Sequence, residues 1–243
     1  SKYDEFWMYV KKNDFDKVYK NQEKYVHELS DTNSFEALSV LVTMQYVNKM
    51  FEDYIKALQF ENIIYTLHVK FYGINSKEMY DHLSRLSEIY TLDNDFENLL
   101  IVEPKNISIS EVVFGDGSSE YVQSLINHAL TLNELGLYKQ ALELNSSGLK
   151  IAKSKGYESL TIQGLICSGI IYFAMDQNEE AKNRYVEAIK IIRHSQNDYL
   201  SRYREIVTNM IGVSLKDGEL IFPNGTNVTL NIKEFSDSNS ESS

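Results

Sequence analysis

Residues 132–156, LNELGLYKQALELNSSGLKIAKSKG, hold two runs of apolar residues at helical spacing, a Gly-Leu-Tyr turn between them and a glycine at the end. The first run belongs to a helix that starts upstream, with Leu125, Ala129 and Leu132 on one face. After Gly136–Tyr138 the second run carries Ala141, Leu144, Gly148, Leu149 and Ile151. Ala129, Ala141 and Gly148 are small enough for two helix backbones to approach each other there. The stretch contains no obvious catalytic residue. A helix–turn–helix without chemistry suggests a unit made to be stacked, and a stacked unit must recur.

It does recur. Tyr54, Phe96 and Tyr138 each follow a short turn, 42 residues apart. Three residues further on stand Ala57, Leu99 and Ala141, and Ala181 follows after another 40. Gly73, Gly115 and Gly156 close the second helices at spacings of 42 and 41. Three markers with one period are the signature of a repeat architecture. The next unit places Leu165, Gly169 and Tyr172 on its first helix and Ala181, Tyr185 and Ala188 on its second, with MDQNEEA (175–181) at the turn. At the N-terminal end, Phe6, Trp7 and Tyr9 lie on a first helix, and Phe15 and Val18 take the aromatic and small positions.

The pattern resembles the tetratricopeptide repeat (TPR). With FYGINS (71–76) and VVFGDGSS (112–119) between units, the 42-residue period is most similar to the longer kinesin-light-chain-like subclass. The resemblance covers roughly residues 3–215 and implies an all-α fold. That fold is a right-handed TPR superhelix (α-solenoid) of about five helix pairs, in units near 1–34, 35–75, 78–117, 120–158 and 160–197. A capping helix over 199–215 would cover the apolar face that a terminal repeat leaves open. Two residues depart from the family pattern: Asn145 stands where an aromatic is preferred and Asn106 where alanine is. Pro104 falls inside the second helix of the third unit, so that helix is expected to kink or split.

Beyond the repeats, Asn224-Gly225 sits in residues 216–235 between apolar runs, with Val228, Leu230 and Ile232 alternating. This predicts a short C-terminal β-hairpin, either covering the last helix or opening a following domain. The polar, weakly acidic tail 236–243 reads as disordered or as a linker.

Composition narrows the function classes. Of 243 residues, 43% are apolar and 24% charged, and the 2 prolines and 11 glycines suit a helix-rich globular chain. A net charge of −11 argues against direct nucleic-acid binding, which needs clustered Lys and Arg. No run of 18 apolar residues exists, so membrane insertion is not expected of this segment. Cys167 is the one cysteine, which leaves no intrachain disulfide and no cysteine metal cluster. A cytoplasmic location is favoured. Export, for instance to a periplasm, stays open because the chain begins with Ser, as if processed or cut from a longer product. Sequons at Asn106, Asn145, Asn224 and Asn227 read as chance occurrences.

Chemistry is hard to find. His27, His68, His82, His128 and His194 form no zinc-binding spacing, and His128 reads as a packed structural histidine. DNDFE (93–97) starts like a calcium loop but lacks its glycine and terminal glutamate, so a turn entering a helix fits better. In FGDGSSE (114–120), Ser118 or Ser119 capping a helix is simpler than a phosphate loop without its lysine. Cys167 has no basic neighbour in sequence and reads as a packing residue. No cofactor, metal or catalytic group is expected.

The resemblance implies instead a function on the surface. In TPR arrays the first helices line a concave groove. The corresponding positions here are Thr43 and Tyr46; Asp81, Ser84, Arg85 and Glu88; Gln123, Asn127, Leu130 and Asn133; and Gln163, Ile166 and Ile170. The carboxylate-clamp pattern of paired Lys and Arg around Asn is missing. The implied function is a non-catalytic protein- or peptide-binding scaffold or sensor module. The alternative is a regulatory TPR domain of a larger signalling protein, whose groove engages its own effector, protease or DNA-binding domain.

Overall fold

A computed structural model describes residues 3–29, 35–194 and three short strands within 214–229. The described helices are α1 (Asp4–Lys11), α2 (Phe15–Lys20), α3 (Gln22–Leu29), α4 (Phe35–Met50), α5 (Tyr54–Tyr72), α6 (Lys77–Leu92), α7 (Phe96–Phe114), α8 (Ser119–Glu134), α9 (Tyr138–Lys155), α10 (Glu158–Ala174) and α11 (Asn178–His194). The chain divides into two compact units, Ser1–Thr131 and Leu132–Ser243.

The repeat markers fall where the period places them. Tyr54, Phe96 and Tyr138 are the first residues of α5, α7 and α9. Ala57, Leu99, Ala141 and Ala181 are all buried, three of them completely. Gly73, Gly115 and Gly156 are the C-caps of α5, α7 and α9, at φ +83°, +93° and +70°. Glycine is favoured there because a Cβ is strained at positive φ. The helix starts are capped as well. Asp53 and Asp95 accept from the backbone N–H of Lys56 and Asn98, and Ser76 and Ser118 accept from those of Met79 and Tyr121. The calcium-like stretch 93–97 is therefore a turn and an N-cap, and Ser118 is the capping serine.

In the first unit α4 packs on α5 and α6 on α7, while α5 also packs on α6. The interior around α1–α5 is aromatic and aliphatic: Tyr3, Phe6, Tyr25, Met44 and Ile64 are almost fully buried. Phe6 meets Trp7 and Tyr25 edge to face, at centroid distances of 4.9 and 5.1 Å. The N-terminal second helix is broken in two at Asn21, into α2 and α3. In the second unit α10 packs on both α9 and α11, and Leu149, Ile162, Leu165, Ala188 and Ile192 form one cluster.

Two sequence expectations are corrected. The helix carrying Pro104 is not split: α7 runs unbroken from Phe96 to Phe114. Pro104 is exposed, as is Leu100 four residues earlier, so the carbonyl freed by the missing N–H lies on the solvent side. Ser214 and Leu215, expected in the capping helix, lie in a strand; the rest of 199–215 lies outside the described residues. Strands β1 (Ser214–Lys216), β2 (Glu219–Ile221) and β3 (Asn227–Thr229) pair antiparallel in that order, with Leu215 opposite Leu220 and Leu220 opposite Val228. The tail 236–243 is outside the described residues. Among those described, no helix is long and apolar enough to cross a membrane.

Candidate interaction surface

Two contacts set the first helices of the first unit side by side. Lys49 on α4 pairs with Glu88 on α6 at 2.6 Å, and the Tyr80 hydroxyl on α6 donates to the Glu120 carbonyl on α8 at 3.4 Å. Along this layer the expected groove residues recur in register. Thr43, Arg85 and Asn127 form one row at 42-residue spacing, Tyr46, Glu88 and Leu130 a second, and Asp81 and Gln123 a third.

Their surroundings differ. Tyr46 is 45% exposed, with the Lys49 ammonium 5.4 Å from its ring centroid. Glu88 and Asn127 are exposed; Thr43, Asp81, Ser84, Arg85, Gln123 and Leu130 are partly buried. Gln123 donates to the Asn127 side-chain oxygen at 2.9 Å, which orients both amides. The Thr43 hydroxyl donates to the Ser39 carbonyl, and Ser84 accepts from Asn106 at 3.0 Å. Arg85 turns partly inward. Its Nε and Nη2 both donate to the fully buried Glu61 carboxylate.

In the second unit the same positions are less available. Ile166 is buried in the cluster around Leu165 and Ala188, and Ile170 packs against it. Nearly every residue of α10 from Leu160 to Ile171 is buried, because α9 and α11 cover it from two sides. The apolar groove contact expected of Ile166 is therefore replaced by core packing. Asn133 is buried too, donating to Glu134 at 3.2 Å. Gln163 is partly buried and donates to the Ser159 hydroxyl at 3.3 Å.

Sequence reasoning missed the groups behind this surface. Glu61, Glu103 and Asn145 stand four residues after Ala57, Leu99 and Ala141, again 42 apart, and all three are buried. Each is held by the following first helix. His82 Nδ1 donates to Glu61 at 2.6 Å, beside Arg85. Glu103 accepts from His128 at 2.9 Å and from the Thr131 hydroxyl at 3.0 Å. Asn145 donates to the Gly164 carbonyl at 2.8 Å and to the Ser168 hydroxyl at 2.7 Å. Only in α11 does an aromatic, Tyr185, take the position. The available signal was a polar residue at a fixed apolar position in three consecutive repeats.

The remaining candidates are structural. His128 is the packed histidine expected, tied to Glu103. Cys167 is buried without a charged partner, and desolvation pushes its thiol up to about 12. The sequon asparagines 106 and 145 are buried and hydrogen-bonded. Among the described residues no three His, Cys, Asp or Glu side chains are placed to hold a metal ion.

No protein-family model matches the chain, and no curated protein does. Solved structures do. BtubC (BKLC) from P. vanneervenii is 14% identical, with a TM-score of 0.64 over 78% of this chain and 79% of that one. A Podosopora anserina protein described as a kinesin light chain with nearly identical TPR-like repeats is 12% identical, with a TM-score of 0.65 over 79% and 93%. The chain shares its fold with TPR-like repeat proteins, kinesin-light-chain-like repeats among them.

Proposed function

We propose that this chain is a non-catalytic protein-interaction scaffold that takes an extended segment of a partner protein along the first helices of its N-terminal unit. What supports this reading is the 42-residue spacing of Thr43, Arg85 and Asn127, and of Asp81 and Gln123, on the successive first helices α4, α6 and α8. Amide and guanidinium donors alternate there with carboxylate and amide acceptors, which suits a peptide backbone carrying both roles. Asp81 and Glu88 favour a polar or basic ligand residue at that end, and Tyr46 and Leu130 offer apolar contact. A net charge of −11 supports a protein rather than a nucleic acid as partner. Kinship in fold with TPR-like proteins supports a scaffold rather than an enzyme. In this reading the strands of 214–229 belong to a C-terminal hairpin and take no part in binding.

The test is panning of a displayed random-peptide library against the intact protein, followed by anisotropy titration of the enriched peptides. Losing a hydrogen bond to a partner costs about 1–3 kcal/mol, so Gln123→Ala/Asn127→Ala should weaken binding roughly tenfold to a hundredfold. No enrichment, or enriched peptides that bind the folded double variant as tightly as the parent, would overturn the reading.

A further inference from the structure

We propose that Glu61, His68, His82 and Arg85 form an acid-sensitive latch between α5 and α6. The second helix of one pair and the first helix of the next are joined there by charge as well as by packing. Glu61 lies wholly inside, with His82 and Arg85 reaching it from α6. His68 follows two turns later on α5, only 4% exposed, its ring centroid 6.5 Å from that of His82. Tyr65 and Tyr72 of α5 flank the two imidazoles at 5.3 and 5.8 Å.

Arg85 and His82 on α6 oppose a proton on His68; Glu61 of its own helix and a hydrogen bond with the Glu78 backbone favour one. The charged residues of α4, the other helix packed on α5, are Glu36 in its first turn and Lys49 in its last. The His68 Nδ1 is buried without a hydrogen-bond partner. Desolvation, followed by Arg85 and His82, holds the imidazole below its ordinary range, so folding disfavours a proton on His68.

The direction of the pH effect follows. As pH falls through about 6.5, an unfolded or locally opened chain takes up the His68 proton before the closed one does. The stability that His68 lends is complete above that pH and is lost as pH falls through its lower folded value. Each unit between the two titrations favours the open joint about tenfold. A protonated His68 would also stand beside Arg85 inside the joint, and the guanidinium, already partly exposed, has a short path outward.

The experiment joins two measurements on the intact chain between pH 8 and 5. Imidazole NMR titration should show His68 titrating below the ordinary imidazole value of about 6.5. The protection factors of 61–72 and 78–88, which normalise for the slower intrinsic exchange at lower pH, should fall over that interval. In folded His68→Asn and His68→Leu variants this loss of protection should disappear, while 138–155 keeps its own response. His68 titrating at or above about 6.5, or either variant keeping the full loss of protection, would overturn the latch. If neither variant folds, the NMR titration and the parent's exchange decide.

Discussion

Residue 61 in the first unit and residue 185 in the second occupy the same repeat position and solve its packing differently. Glu61 is a buried carboxylate whose partners, His82 and Arg85, come from the first helix of the next pair. Tyr185 packs on Gly169, a glycine on α10, the first helix of its own pair; a Cβ there would stand 2.2 Å from the ring. The carboxylate ties neighbouring pairs together and the tyrosine locks two helices within a pair. The first solution depends on both partners of the carboxylate being present, the second on volume. Glu103 repeats the polar solution with His128 and Thr131, and Asn145 gives it an uncharged form.

The largest effect should come from breaking the charged tie. Glu61→Ala leaves Arg85 and His82 facing an interior without an anion and should cost about 3 kcal/mol in chemical denaturation. Glu61→Leu/His82→Leu/Arg85→Met removes all three and should regain most of that loss. A single variant as stable as the parent would mean that the carboxylate does not hold the joint. Asn145→Ala, which loses two buried hydrogen bonds but no charge, should cost less, about 1–3 kcal/mol.

The volume-dependent contact is tested at Gly169. Gly169→Ala should cost about 1–3 kcal/mol through overpacking, and Tyr185→Leu in the same chain should relieve part of it. At Gly164 a Cβ would lie 3.1 Å from a Leu149 methyl, the movable end of a side chain, so Gly164→Ala should cost less than Gly169→Ala. Equal costs would remove the contrast. Ala141→Leu and Ala181→Leu belong to the same class, both alanines being fully buried.

The helix pairs were legible because their markers are local: an aromatic after a turn, a small residue three further on and a closing glycine all act within one helix or turn. The polar ties were not, because Glu61 and His82 are 21 residues apart and nothing in either helix alone reports the pairing. Asn145 showed as a departure from the family pattern, but its partners on α10 did not. Ile166 failed for a related reason. Its place on a first helix was legible, but its coverage by the neighbouring helices was not. A kink or split at Pro104 follows from helix propensity alone, which does not report exposure. Its ring lies on the solvent side one residue after the buried Glu103, so Pro104→Ala should stabilise the protein by about 1 kcal/mol without disturbing the Glu103 tie.

The smallest effect concerns the turns that precede the two solutions. Asn13, Glu52 and Asn94 in the first unit, and Gly136 and Asp176 in the second, all take positive φ, between +53° and +72°. Asn and Asp visit this region more readily than most side chains, and glycine enters it freely. Glu52, at φ +59°, has neither advantage. A left-handed backbone costs an ordinary residue about 1–2 kcal/mol, while glycine returns about 0.4–1 kcal/mol as freedom of the unfolded chain. Glu52→Gly should therefore stabilise the first unit by about 0.5 kcal/mol. Gly136→Ala should do the opposite by a similar amount, since a Cβ there meets nothing within 4 Å and only the backbone is strained. Paired denaturation curves check both signs. If Glu52→Gly destabilises, its side chain holds the turn in a way that glycine cannot, and the turns of the two units differ in kind.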